Sequence, residues 1–345
     1  MFDNHDLLRL QKTFSDFSLD RMCRTTNTDL PALYHYLEFY GFLYTLKGLS
    51  VEYYCGYRKP EGKRAGRWGR IATHYWRLNE ARGTVFVVHG LFDHVGLYQP
   101  AVRYLLDQGY SVVAIDLPGH GLSDGEATVI DSFDNYADVL AECVNYFASR
   151  IQGPAYALGQ STGGAVVLNH CFRAAKRGKP CPYKGIILLA PLVRSARWRW
   201  VNMAFRVFSP IIRSVTRNFV TNSHNESFNH FLANSDILQS RRLSVRWIAA
   251  MRKWALNFER HPELDVPTLL VQGTGDRVVD WRYNVKAICA KLKNVERTDI
   301  EGAMHHLVNE SPEYRRPLVR AVGTFLASHG DEVGKKFDQP ERYLD

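Results

Sequence analysis

The sequence lacks the paired cysteines and the cysteine–histidine spacings that hold structural zinc. Its six cysteines are scattered singly along 345 residues, a pattern typical of free thiols in a reducing compartment. It also lacks a run of 18 apolar residues, and its N-terminal stretch has no apolar core of a secretory signal. These absences predict a cytoplasmic protein without a metal site, which could still contact the inner membrane surface peripherally.

Acidic residues are scarce in one segment, and this scarcity accounts for the net charge of +9. Residues 193–261 carry 12 basic and 3 acidic side chains, whereas the two signs balance in the remaining chain. Tryptophan and phenylalanine alternate with these arginines, as in an amphipathic helix at an anionic membrane. Arginines solvated on a lid helix would look the same. No nucleic-acid-binding motif accompanies the charge, so no nucleic-acid partner is expected.

Short apolar runs alternate with helical patterns, which predicts the α/β class: a mostly parallel central sheet flanked by helices. The expected strands are 51–57, 70–77, 84–89, 111–116, 155–159, 185–190, 268–272 and 295–300. The alternation stops over 192–265, where the pattern is helical and no strand-like run is found. The expected organisation is an N-terminal helical extension (1–50), a core (51–191 and 266–330), a helical cap (192–265) and a charged C-terminal tail (331–345).

One helix is expected over residues 29–46 of the extension. Asp29 could cap its start, Pro31 suits its first turn, and Gly48 follows its end. Six of its residues are aromatic. Two interpretations are open: the helix packs on the core, or it faces lipid.

The stretch "YALGQSTGGAVVL" places a serine between an apolar strand and an apolar helix. Its Gly159-Gln160-Ser161-Thr162-Gly163 segment fits the G-x-S-x-G pattern of a nucleophile elbow, in which small flanking residues allow a strained turn. A glycine-rich turn with a capping serine is the simpler interpretation. The strand–turn–helix context favours Ser161 as a nucleophile.

A serine nucleophile requires a base and an acid, which follow it in that fold as acid and then histidine. The loop after the strand 268–272 offers Asp276, with Asp280 as a second candidate that could instead cap a helix. The loop after the last strand offers His305 and His306, of which His305 is favoured. Backbone N–H groups of Thr162 and Leu91 are the expected oxyanion-hole donors.

Five motifs then resemble, in order, those of the monoacylglycerol lipase and lysophospholipase group of α/β-hydrolases, also called serine aminopeptidase-like hydrolases. They are "HGLFDHVGLY" (89–98), "AIDLPGHGLSDG" (114–125), "GQSTGG" (159–164), "GTGDRVVD" (273–280) and "GAMHHLVNESPE" (302–313). The resemblance spans roughly residues 70–328. It implies the α/β-hydrolase fold and the roles given above for the triad and for the oxyanion hole. It also implies that the 116–123 loop shapes the pocket without reacting.

The resulting hypothesis is a serine hydrolase that cleaves lipid esters, either monoacylglycerols or lysophospholipids, through an acyl-enzyme and without a cofactor. A general carboxylesterase or thioesterase for small acyl substrates stays open, as does a non-catalytic binding protein on the same fold. A peptidase is disfavoured because the cap has no acidic cluster for an amine. A dehalogenase is disfavoured because the elbow carries Ser161 and not aspartate. No oligomeric state is predicted.

Overall fold

The computed structural model describes residues 2–23, 30–60, 68–217 and 219–330. Within these ranges the chain forms ten strands: β1 (Val51–Arg58), β2 (Ile71–Leu78), β3 (Thr84–Val88), β4 (Ser111–Ile115), β5 (Ala155–Gln160), β6 (Gly185–Leu189), β7 (Ser214–Thr216), β8 (Arg242–Ser244), β9 (Thr268–Gly273) and β10 (Val295–Ile300). Eleven α-helices accompany them in the same ranges: α1 (Asn4–Thr13), α2 (Pro31–Phe39), α3 (Phe42–Leu46), α4 (Gln99–Asp107), α5 (Phe133–Phe147), α6 (Thr162–Lys176), α7 (Trp198–Phe208), α8 (Glu226–Asn234), α9 (Val245–Asn257), α10 (Trp281–Cys289) and α11 (Pro312–His329).

Eight strands form one sheet in the order β1-β2-β4-β3-β5-β6-β9-β10. The hairpin β1–β2 and the pair β2–β4 are antiparallel, and every other pair is parallel. This is the mostly parallel sheet that the apolar runs predicted. The loop of that hairpin lies partly outside the described residues.

Side chains from the central strands enter two separate cores because successive residues of a strand point to opposite faces. In β3, Val85 and Val87 join the core beneath α4 and α11, together with α1 and α2. Phe86 and Val88 join the opposite core, which contains α5, α6, α9 and α10. Burial on both faces explains why β3 contains no charged residue.

The N-terminal residues cover the edge and one face of the sheet. Ser15 and Phe17 exchange backbone hydrogen bonds with Tyr57 of the edge strand β1, each 2.8 Å long. Tyr36 of α2 is fully buried and stacks on His74 of β2. The aromatic side chains of α2 therefore pack on the core, although Tyr44 in α3 is 76% exposed.

The prediction of one continuous helix over 29–46 is wrong. The chain turns at Gly41, whose φ of +76° favours glycine, and this turn separates α2 from α3. Pro31 begins α2 as expected. The proposed cap Asp29 lies outside the described residues, as does the tail 331–345.

The segment 192–265 contains α7, α8 and α9, but it is not purely helical. Strands β7 and β8 pair as an antiparallel ribbon, which contradicts the expectation of no strand in this segment. Each strand has only three residues, too few for an alternating pattern to stand out from the sequence. Helix α9 packs on the core through Trp254, which stacks on Phe133 of α5.

Candidate active site

Ser161 lies in a strained turn between β5 and α6. Its φ of 54° and ψ of −114° are rare for a residue with a side chain. The flanking glycines have a steric cause: a Cβ at Gly163 would lie 2.0 Å from the Val88 carbonyl oxygen, and one at Gly159 would lie 2.5 Å from the Gly163 carbonyl carbon. The turn thus has the geometry expected of a nucleophile elbow.

Asp276 and His305 meet at the carboxyl ends of neighbouring strands β9 and β10. His305 Nδ1 lies 2.7 Å from Asp276 Oδ2, and both side chains are buried. The other carboxylate oxygen, Oδ1, accepts hydrogen bonds from the N–H groups of Val278 and Val279 at 2.8 and 3.1 Å. The carboxylate is therefore fixed by the backbone of its own loop, and it in turn fixes the imidazole.

The two partners shift each other's pKa. Burial alone would lower the pKa of His305, but the adjacent carboxylate outweighs it, so this pKa is raised. Burial alone would raise the pKa of Asp276, but the charge and hydrogen bond of His305 outweigh it, so this pKa is lowered. The pair therefore favours a carboxylate beside an imidazole that can accept a proton.

The second candidates for acid and base lie in other settings. Asp280 is the N-cap of α10 and accepts a hydrogen bond from the Tyr283 N–H at 3.4 Å. His306 Nε2 lies 3.3 Å from Asp93 Oδ2, and the His306 ring packs edge-on against Phe228. Neither residue joins the Asp276–His305 pair.

The expected oxyanion-hole donors belong to the start of α6 and to the loop after β3. Thr162 is the first residue of α6, a position whose N–H has no partner within a helix. Within the described residues, the N–H of Leu91 donates to no backbone acceptor. A Cβ at Gly90 would lie 3.4 Å from Ser161 Cβ, which places this loop directly against the serine.

The loop that carries Leu91, here termed the oxyanion loop (residues 89–98), is held by buried side chains. Asp116 accepts hydrogen bonds from the N–H groups of Val95 and Leu122 at 2.7 and 2.8 Å. A Cβ at Gly121 would lie 2.3 Å from Asp116 Oδ2, which explains the glycine there. Asp116 thus positions the oxyanion loop.

Two supports of the site were missed by sequence reasoning. Glu310 is fully buried, and its carboxylate accepts hydrogen bonds from the N–H groups of Met304 and His224 at 2.6 and 2.7 Å. It therefore ties the loop of His305 to the segment before α8. The sequence feature that could have identified Glu310 is its position as an acidic residue inside the motif 302–313.

The second missed support is a buried cluster, here termed the Tyr40–Asp236–His94 cluster. His94 Nε2 lies 3.0 Å from Asp236 Oδ2, and Tyr40 donates to Asp236 Oδ1 at 2.8 Å. His94 Nδ1 accepts from the Gly96 N–H, so Nε2 carries the proton shared with the carboxylate. The three residues come from distant parts of the chain, and no sequence signal connects them.

A cavity of about 370 Å³ opens beside the histidine. Its lining includes His305 and Arg277 and the segment 220–224. A larger cavity of about 840 Å³ lies between α3 and α4, and none of the candidate catalytic residues lines it. Of these two cavities, the smaller one therefore adjoins the candidate base.

Comparison with known proteins places the chain in a family. The family described as "Serine aminopeptidase, S33" matches residues 79–312. Human monoglyceride lipase is 28% identical over 271 residues, which cover 75% of this chain and 88% of that protein. Phospholipase YtpA of Bacillus subtilis is 26% identical over 261 residues, which cover 72% of this chain and 97% of that protein.

A crystal structure of a soluble variant of monoglyceride lipase from Saccharomyces cerevisiae, in complex with a substrate analog, has a similar fold. Its TM-score is 0.67 at 17% identity, over 80% of this chain and 95% of that one. Such low identity supports the fold alone. The predicted α/β-hydrolase fold and the family resemblance are confirmed by these matches. Across the described ranges, no helix combines the length and the apolar character needed to cross a bilayer.

Proposed function

Because the chain belongs to the serine aminopeptidase S33 family of α/β-hydrolases, we propose that it hydrolyses lipid esters with Ser161 as nucleophile. It is a carboxylic ester hydrolase, and its proposed substrates are monoacylglycerols or lysophospholipids. The observation that supports this most is the buried Asp276–His305 pair at the edge of the parallel strands where β5 ends in the strained elbow of Ser161. The loop of His305 also contacts the elbow, since the Val308 N–H donates to Gln160 Oε1 at 3.2 Å. The monoglyceride lipase and phospholipase relatives support the choice of lipid esters.

In the proposed mechanism, His305 Nε2 accepts the proton of the Ser161 hydroxyl as its oxygen attacks the ester carbonyl carbon. Asp276 holds Nδ1–H and stabilises the imidazolium that forms. The N–H groups of Leu91 and Thr162 donate to the oxyanion of the tetrahedral intermediate. His305 then protonates the departing alcohol, and it activates the water that releases the fatty acid and restores Ser161.

The test is fatty-acid release from 1-monoacylglycerol and from lysophosphatidylcholine, with Ser161→Ala as the blank. Loss of the triad serine is expected to lower turnover by up to about 10⁶-fold. A fluorophosphonate probe should label the wild-type protein and leave the Ser161→Ala variant unlabelled. Failure to label would contradict the serine mechanism and favour a non-catalytic binding protein.

Labelling without release from either lipid would instead favour the second candidate, a carboxylesterase or thioesterase for small acyl compounds. Short acyl esters and thioesters in a chain-length series would then identify the preferred substrate. The cavity beside His305 has both apolar and polar lining: Val220, Val278 and Met304 lie beside Asn222, His224 and Arg277. Such a mixed lining suits an ester with an apolar acyl part and a polar alcohol part.

We also propose that α7 contacts an anionic membrane surface. Trp200, Met203 and Val207 are each more than half exposed and lie on one helical face, since they are spaced by three and four residues. No residue of α7 is buried. The exposed Arg199 and Arg206 supply positive charge next to this apolar face, and each basic residue near such a surface contributes about 1 kcal/mol.

The membrane proposal predicts binding to liposomes that contain anionic lipid, and weaker binding as salt is added. Co-sedimentation measures this directly. The double variant Arg199→Gln/Arg206→Gln should bind less, whereas Arg150→Gln, an exposed arginine in the turn after α5 and outside the cap, should bind as the wild type does. Equal binding to neutral liposomes would contradict the electrostatic part of the proposal.

A further inference from the structure

Two arginines face each other across the short ribbon of the cap. Thr216 of β7 pairs with Arg242 of β8, and one step further the Arg217 N–H donates to the Arg241 carbonyl oxygen at 3.0 Å. Arg217 and Arg241 are therefore directly opposite residues on one face of the ribbon. Like charges in that arrangement destabilise an antiparallel pair. An anion bound between them would remove the repulsion.

Arg217 lies against the oxyanion loop, and both guanidinium groups lie against the ring of Phe219. The Arg217 guanidinium carbon is 4.0 Å from the ring centroid of Phe92 and 4.4 Å from that of Phe219. The Arg241 guanidinium carbon is 4.9 Å from the same Phe219 centroid. Phe92 directly follows Leu91 and has a left-handed φ of 69°, so its ring brings Arg217 next to a proposed oxyanion donor.

Among the residues that the structure describes, no carboxylate contacts either arginine directly. Within the described ranges, neither Arg217 nor Arg241 takes part in an ion pair. The carboxylates whose charge reaches Arg217 are Asp93 and Asp236, and each has a histidine as its partner. Burial lowers the pKa of Arg217 to about 10, so the guanidinium stays charged at neutral pH.

The buried amide of Gln239 lies beside Arg217. Gln239 is 6% exposed, and its Oε1 accepts a hydrogen bond from Arg217 Nη1. Its Nε2 is buried and has no hydrogen-bond partner in the described part of the chain. A buried donor without a partner costs free energy. An acceptor oxygen of a ligand held by Arg217 would satisfy it.

We propose that Arg217, Arg241 and Gln239 form a subsite for the phosphate group of a lysophospholipid. The inference rests on the proposed function and narrows its substrate class. Arginine and amide donors suit phosphate oxygens because several charge-assisted hydrogen bonds can form at once. A monoacylglycerol has no anionic group for this subsite, so the subsite would favour the lysophospholipid.

The test compares one acyl chain on three head groups: 1-acylglycerol, 1-acylglycerol 3-phosphate and lysophosphatidylcholine, each below its micelle concentration. The measured quantity is kcat/KM for each phosphate lipid divided by kcat/KM for the 1-acylglycerol. Arg217→Gln should lower this ratio about tenfold or more, since hydrogen bonds between charged groups are among the strongest in proteins. An unchanged ratio would overturn the proposal.

Two further variants separate the subsite from general damage to the fold. Gln239→Glu is nearly isosteric and places a carboxylate against Arg217, so the ratio should fall although both arginines remain. Arg242→Gln removes the same charge one residue along β8, where the side chain is exposed and bonds to Ser214, and the ratio should be unchanged. A fall of equal size in Arg242→Gln would mean that net charge alone is responsible.

A binding experiment distinguishes lipid phosphate from free phosphate. Titration calorimetry on Ser161→Ala measures the Kd of inorganic phosphate and of 1-acylglycerol 3-phosphate, each with and without Arg217→Gln. The proposal expects the lipid to bind more tightly than inorganic phosphate and to lose affinity in Arg217→Gln. If only the binding of inorganic phosphate depended on Arg217, the subsite would belong to a free anion and the lipid assignment would be overturned.

Failure of the proposed function can be distinguished from failure of the subsite. Absence of turnover with all three lipids would reject the proposed function, while lipid binding that depends on Arg217 would still support the subsite.

Discussion

At the scale of single residues, the hydrogen bond between Asp276 and His305 determines which imidazole nitrogen carries a proton. In Asp276→Asn the amide N–H would donate to Nδ1, so the proton would move to Nε2 and the base would be lost. We expect kcat to fall by about 10⁴-fold, the loss known for this change in a serine-protease triad. Initial rates on the preferred lipid measure it.

Asp280→Asn is the matched control because asparagine caps a helix about as well as aspartate. It should keep both the activity and the melting temperature. A larger loss of activity in Asp280→Asn than in Asp276→Asn would transfer the acid role to Asp280.

The raised pKa of His305 predicts the pH dependence of the reaction. In the proposed mechanism, a protonated imidazole cannot accept the Ser161 proton, so kcat/KM should increase with pH through a midpoint above 6.5, the ordinary histidine value. Removing the carboxylate removes the cause of the raised pKa. The midpoint of the residual activity of Asp276→Asn should therefore lie at lower pH. A pH–rate profile of both proteins tests the shift, and a midpoint shared by both would contradict it.

At the scale of elements, the Tyr40–Asp236–His94 cluster connects α2, the oxyanion loop and the residues after α8. Tyr40→Phe removes a hydrogen bond to a buried carboxylate and should lower the free energy of unfolding by about 1.5–3 kcal/mol. Tyr36→Phe, one helical turn earlier, removes a buried hydroxyl that has no partner within the described residues. It should be neutral or stabilising. Urea unfolding measures both changes, and equal losses would contradict the hydrogen-bond explanation.

How well the sequence predicts an element depends on how many residues carry its signal. The central strands were predicted because burial on both faces makes them continuous apolar runs. The break at Gly41 and the ribbon β7–β8 were missed because their signals are one residue or three residues long. Ser161, Asp276 and His305 stood out as candidates because each follows a predicted strand. Arg217, Arg241 and Gln239 belong to no motif. The cross-strand pairing of the ribbon relates the two arginines, and a side-chain hydrogen bond relates Gln239 to Arg217.

At the scale of the whole molecule, the N-terminal residues complete the sheet. They pair with the edge strand β1 at Tyr57, and Phe14 packs edge-on against the Tyr57 ring at 5.0 Å. Leu10 and Leu37 are fully buried in the same core. Without this layer, an edge strand and a broad aromatic face would be open to other chains.

Removal of residues 1–46 should therefore cause aggregation and lower the melting temperature of whatever remains monomeric. Size-exclusion chromatography and thermal unfolding measure these effects. Turnover is compared per fluorophosphonate-labelled serine, which separates loss of folded protein from loss of catalysis. A monomeric truncated chain with unchanged melting temperature would show that the layer is dispensable.

Helix α7 has 11 residues and buries none of them, and isolated helices of that length are marginal in water. Its backbone hydrogen bonds should therefore open at a small fraction of the free energy that opens β5 or α6. Amide hydrogen exchange should be fast along α7 in solution and slow once an apolar surface covers Trp200 and Val207. The exchange rate of this helix would thus report occupancy of that face without any change elsewhere in the molecule.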